Sequence, residues 1–170
     1  MSKKNDRKRK AQLSVKSMNE TFKFQVLWAK KQRLPELPDD NAALQAEIAT
    51  VMELGCTQEM LTLRDIVEGV HRDLGVLPEP GQGSLQGTII PYLFGITSVN
   101  PFEDGQTVSR LETLNDTQHH FYLTVCYDNE IRNRVVDWVK ERYQEVTSYM
   151  GQPILKLPKM IIEFRRLVKS

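Results

Sequence analysis

At 170 residues with 40% hydrophobic side chains, the chain is long enough to bury a core as one globular unit and short for two domains. Its apolar runs, at residues 88–97 and 121–127, fall well below the roughly 20 residues a membrane-crossing helix requires, so no membrane partner is expected. The formal charge of +1 conceals a basic start, because Lys3, Lys4, Arg7, Lys8, Arg9, Lys10 and Lys16 are set against Asp6 alone.

Residues 1–16 carry too little apolar surface to order themselves and are expected to form a flexible, disordered basic tail. Such a cluster attracts nucleic acid by releasing phosphate counterions, although a solvated tail is the simpler reading. Residues 17–170 are expected to form a single domain. Met18, Phe22, Val26 and Ala29 recur at helical spacing and predict an amphipathic helix over residues 11–33, ended by Pro35 and Pro38. Asp40 is expected to cap a second helix over 41–54, with Leu44, Ile48 and Val51 on one face and Gly55 as its stop. Residues 60–63 read as a short buried strand and 65–74 as a helix closed by Gly75.

Pro78 and Pro80 forbid helix, and Gly81 and Gly83 on either side of Gln82 permit positive φ, so a turn is expected there. A helix is expected from Ser84 to Gly95, kinked at Pro91, followed by irregular structure over residues 102–117. A glycine-rich turn opening a helix aims unpaired N–H groups and a positive helix end at one point, which suits a phosphate. Ser84 adds either a hydroxyl donor to that phosphate or a helix cap, and the residues alone favour the cap. Residues 120–127 alternate as a strand, with Phe121, Leu123, Val125 and Tyr127 on one face and Tyr122, Thr124 and Cys126 on the other. Asp128 or Asn129 is expected to cap a long helix through Ile131, Val135, Val139, Tyr143 and Val146, closed by Gly151 and Pro153. Residues 159–168 read as a short basic helix with Met160, Phe164 and Leu167 inward. The sum is an α+β domain, rich in helix, with a small sheet. Cys56 and Cys126 are expected as buried free thiols, and His71, His119 and His120 assemble no metal site or triad. No apolar segment follows the basic start as a secretory leader needs, so a cytoplasmic protein is expected.

The stretch LGVLPEPGQGSLQGTIIPYLFGITSVNPF is more specific than its turn alone. Gly81, Gly83, Ser84, Gly87, Tyr92, Gly95, Ile96, Thr97 and Pro101 fall at the spacing of the palm region of bacterial C-family replicative DNA polymerases, the DNA polymerase III alpha subunits, which the chain resembles. Glu47, Ile48, Asp65 and Ile66 upstream, and Tyr127, Arg132 and Val135 downstream, extend the likeness over most of residues 20–165, strongest over 55–101.

The resemblance implies a shortened nucleotidyltransferase-like fold, the polymerase palm, in which Gly81, Gln82, Gly83 and Ser84 would hold a nucleotide's triphosphate. It also places the family's two metal-binding aspartates at Thr124 and Cys126, neither of which supplies the charged oxygen that magnesium demands. Gln82 stands where the family has an arginine, which weakens anion binding further. The expectation is a non-catalytic replication-linked protein with no metal of its own, Mg2+ entering only with a nucleotide. It would bind a nucleoside triphosphate or DNA through the Gly-Ser turn. One alternative is an interaction module docking to a replication or mobile-element partner through Leu27 and Trp28. Another is a nucleotidyltransferase with ligands relocated to Glu103 and Asp104, or to Asp128 and Glu130.

Overall fold

The computed structural model describes residues 3–80, 83–103, 121–144 and 146–167. Five helices and four strands follow in chain order among them: α1 (Lys3–Arg33), α2 (Ala42–Glu53), α3 (Thr57–Leu74), α4 (Ile89–Leu93), β1 (Phe121–Asp128), α5 (Arg132–Arg142), β2 (Val146–Tyr149), β3 (Gln152–Lys156) and β4 (Met160–Leu167). The strands form one sheet in the order β1-β4-β3-β2, with β1 and β4 parallel and the other pairs antiparallel. The expected helix-rich α+β architecture is the one observed.

The basic segment expected as a disordered tail is helical from Lys3 onward. Lysine, arginine, glutamine and alanine are all strong helix formers, and Asp6 sits in the first turn, where it complements the helix dipole. Burial begins later: Phe22 and Val26 are fully buried, whereas the earlier turns stand exposed. Lys30 is buried too, its ammonium donating to Leu37 O at 2.7 Å and pairing with Asp39 at 3.0 Å.

In α2 the capping residue is Asn41 rather than Asp40, its Oδ1 accepting from Leu44 N at 3.0 Å. Residues 60–63 are not a strand. Met60, Leu63, Ile66, Val67 and Val70 continue one buried stripe at spacings of three and four, so α3 runs unbroken from Thr57. Gly75, at φ 71°, closes it as expected.

The helix expected from Ser84 is a turn over residues 83–87, and α4 starts only at Ile89. Pro91 therefore lies in a first turn, where its missing N–H costs no helical bond, and kinks nothing. α5 ends at Arg142, well before Val146, and Ile131, without a side-chain bond, stands at its N-terminal cap in place of Asp128 or Asn129. The polar residues that follow form the β2–β3 hairpin instead, turning at Met150 and Gly151.

Residues 159–168, read as a helix, contain β4, the strand between β1 and β3. Met160, Ile162 and Phe164 alternate into the core at 0 to 1% exposure, beside Phe121, Leu123 and Val125 of β1. α5 covers that face of the sheet through Val135 and Val139. Against α3 it sets Trp138, whose Nε1 donates to Asp73 at 2.8 Å. Cys56 and Cys126 are buried free thiols, and among the described residues no helix is long and apolar enough to cross a membrane.

Candidate functional site

β1 is an edge strand, and an unpaired edge invites pairing with another chain. Here Glu79 and Ser84 cover part of it. Glu79 N donates to Cys126 O at 2.8 Å, Ser84 N donates to Thr124 O at 3.1 Å, and the Ser84 Oγ accepts from Thr124 N at 2.8 Å. Gly83, at φ 95°, makes this approach sterically feasible, because a Cβ there would lie 2.6 Å from the Thr124 carbonyl oxygen. Gly81 and Gln82 lie outside the described residues. These contacts fasten the segment to the strand at Thr124 and Cys126.

Thr124 and Cys126 share a face with Tyr122, and across the parallel pair stand Glu163 and Arg165. Glu163 is 3% exposed; its carboxylate accepts the Tyr122 hydroxyl proton and pairs with Arg165 Nε at 2.6 Å. Burial and the neighbouring Glu163 together push the Tyr122 hydroxyl pKa up, and burial raises that of the Cys126 thiol. The carboxylate across the sheet from Thr124 is therefore committed to a tyrosine and an arginine. The other acidic candidates are dispersed: Glu103 is exposed, Asp104 lies outside the described residues, and Asp128 Oδ1 accepts from Glu130 N at 3.0 Å.

The helix end meant for a phosphate is not at Ser84. It belongs to α4, and the buried Glu47 of α2 fills it, Oε2 accepting from Ile89 N at 2.9 Å and Oε1 from Ile90 N at 2.6 Å. The protein supplies its own anion to that positive end. Burial nonetheless pushes the Glu47 pKa up, outweighing the two N–H donors that pull it down. The sequence holds a trace of this role, since Glu47 falls on the same face as Leu44, Ile48 and Val51, a position an acid occupies only with partners. Ser84 stays exposed, and Lys3, Lys4, Arg7, Lys8, Arg9 and Lys10 line the exposed first turns of α1. Phe24 and Trp28 of α1 are also exposed, at 63% and 57%, while Leu27 packs partly against the core.

An α+β domain whose glycine-serine turn is bound to a sheet-edge strand is the class these features define. Residues 12–152 match the family described as the bacterial DNA polymerase III alpha NTPase domain, and the chain belongs to that family. It is 33% identical to an error-prone DNA polymerase of Ruegeria pomeroyi over 97 residues, 57% of this chain and 8% of that protein. It is 30% identical to an error-prone DNA polymerase of an Anaeromyxobacter species over 130 residues, 71% of this chain and 11% of that one. The DNA polymerase III subunit alpha of Thermus aquaticus is 30% identical over 99 residues, 58% of this chain and 8% of its own length. The chain thus spans between 8% and 11% of these relatives.

Proposed function

We propose that this chain acts in DNA replication as a palm-type, nucleotidyltransferase-like domain that binds a nucleotide or DNA without joining nucleotides itself. The observation that carries the reading is the junction of Ser84 with Thr124. Because the Ser84 Oγ serves there as an acceptor, its own proton remains to be donated outward from an exposed position to a phosphate oxygen. Gly83 lets the segment lie against β1, and Gly81, Gln82 and Gly83 complete the proposed nucleotide-binding set with Ser84. The exposed lysines and arginines of α1 add electrostatic affinity for a nucleic acid.

The loss of chemistry follows from residue type. Two-metal phosphoryl transfer needs anionic oxygens shared between ions, and a threonine hydroxyl and a thiol do not provide them. Glu163, held by Tyr122 and Arg165, does not replace them. The test is a thermal-shift series with Mg2+ and each deoxynucleoside triphosphate, followed by primed DNA at low salt, since a ligand of the native state raises the melting temperature by mass action. A saturable rise that Ser84→Ala removes is expected. No saturable binding to either ligand would refute the binding role, and primer extension by the purified chain would refute the loss of chemistry.

A second reading, a module that docks to a replication or mobile-element protein, is favoured by the exposed Phe24 and Trp28, four residues apart on one side of α1. It predicts that Trp28→Ala abolishes capture of the partner while leaving nucleotide binding unchanged.

A further inference from the structure

On the α5 side of the sheet a pocket of about 590 Å³ opens between α5 and the β2–β3 hairpin, within the size range of ligand sites. Arg132, Asn133 and Lys140 of α5 line it, with Thr147 and Ser148 of β2 opposite. Arg132 is 6% exposed, yet among the described residues it forms no ion pair. Its guanidinium donates only to neutral acceptors: Phe164 O at 2.8 Å, Asn133 Oδ1 at 3.1 Å and Gln152 Oε1 at 3.4 Å.

A second guanidinium meets the same amide. Arg166 of β4 donates to Asn133 Oδ1 at 3.3 Å, so one neutral oxygen holds two like charges together. Burial first, and then the Arg166 charge, press the Arg132 pKa below its ordinary value. Gathering cations around a neutral oxygen is costly, and an anion brought between them relieves that cost. Asp137 is the acidic residue of the pocket wall, set against Arg132, Lys140 and the neighbouring Arg166. Hydroxyls at Thr147 and Ser148 supply further donors, and Val136, Val146 and Pro153 form an apolar side suited to a sugar or base.

We infer that this pocket binds a phosphate group through Arg132, Arg166 and Lys140, separately from the Ser84 turn. Forked guanidinium donors match the tetrahedral oxygens of a phosphate and hold them by charge-assisted hydrogen bonds. The phosphate belongs either to a nucleic-acid strand or to a free nucleotide or pyrophosphate.

Calorimetric titration of the full chain with pyrophosphate, and fluorescence anisotropy of a 5′-labelled single-stranded oligodeoxynucleotide, distinguish the sources. Displacement of the oligonucleotide by pyrophosphate identifies a strand; binding of pyrophosphate without the oligonucleotide identifies a free phosphate compound. In either case Lys140→Glu with Arg166→Gln, both at exposed residues, weakens binding at least tenfold, and Ser84→Ala leaves pyrophosphate binding at this pocket intact. Asn133→Asp provides the sharper readout. A carboxylate placed between the two guanidiniums raises the melting temperature and abolishes phosphate binding, two effects of opposite sign that a purely structural asparagine does not produce together. Binding of neither probe, affinity unaffected by Lys140→Glu with Arg166→Gln, or an Asn133→Asp protein that melts lower or still binds pyrophosphate would each overturn the inference.

Discussion

Gly83→Ala tests the junction on which the proposed site depends. The glycine has φ 95°, and the added Cβ would fall 2.6 Å from Thr124 O, a backbone atom that cannot rotate away. Holding a non-glycine residue in such a conformation costs about 1–3 kcal/mol. Relieving the contact means moving the turn off β1, which forfeits the hydrogen bonds from Ser84 N to Thr124 O and from Thr124 N to Ser84 Oγ. Each contributes about 0.5–1.5 kcal/mol, so the whole loss is about 4 kcal/mol, a large share of an ordinary domain's stability. For a chain of this size that lowers the melting temperature by roughly 8–16 °C. Urea denaturation followed by far-ultraviolet circular dichroism measures the difference, with Ser84→Ala as the comparison. Ser84→Ala removes one side-chain acceptor and is expected to cost about 1 kcal/mol. If Gly83→Ala costs no more than Ser84→Ala, the turn is not pressed against the strand and the account of the site fails.

α1 yields a paired test: Phe22→Ala is expected to lose about 3–5 kcal/mol in denaturant unfolding, and Phe24→Ala less than about 0.5 kcal/mol, because only Phe22 is buried. The two values coming out equal would contradict the placement of the helix. Glu47 gives a pH dependence. Its folded pKa lies above the ordinary 4.5, so its titration adds stability fully present below that value and lost as pH rises through the folded value. Unfolding free energies measured from pH 4 to 7 should therefore show wild type losing ground against Glu47→Gln as pH rises, and a difference independent of pH would contradict the burial of this carboxylate. Glu47→Ala, which strands the Ile89 and Ile90 N–H groups, is expected to cost about 2–5 kcal/mol, most at the low end of this pH range. Thr124→Asp with Cys126→Asp sets two carboxylates beside Glu163. That variant should melt lower than wild type in chelator and recover on adding Mg2+, and failure to respond to Mg2+ would argue against these positions matching a metal-binding pair.

What the sequence disclosed depended on whether an element's apolar spacing had one interpretation. β1 and the second half of α3 are marked by runs long enough to fix their period, as are the stops at Gly55 and Gly75, whereas Met60 to Leu63 is too short a run to tell strand from helix. β4 is ambiguous in the sequence because Met160, Phe164 and Leu167 fit helical spacing as well as Met160, Ile162 and Phe164 fit alternation, and pairing with β1 decides between them. α5 is shorter than its spacing suggests for a similar reason: Val146 continues the spacing of Val135 and Val139 but pairs in the hairpin. The site divided along the same line. The Gly83-Ser84 turn and the alternation that sets Thr124 and Cys126 on one face of β1 are visible as local strings. Glu47 on Ile89 and Ile90, and Arg132 with Arg166 on Asn133, join residues more than thirty positions apart, and no local pattern records such pairings.

The two proposed anion sites differ in how the fold prepares them. Near Ser84 the strongest positive feature, the start of α4, is already neutralised by Glu47, and the turn's own N–H at Ser84 is spent on Thr124. Affinity there must come from one hydroxyl and from charges on the distant turns of α1, which salt screens readily. Around Asn133 the reverse holds: a buried guanidinium and its exposed neighbour face one neutral oxygen, with no described carboxylate in ion-pair contact with either. Burial shields the Arg132 charge from salt, while Arg166 and Lys140 are exposed. Raising ionic strength should accordingly weaken a ligand at Ser84 before one at Arg132, so the salt dependence of binding in the Ser84→Ala and Lys140→Glu variants assigns a bound phosphate to one face of the sheet or the other.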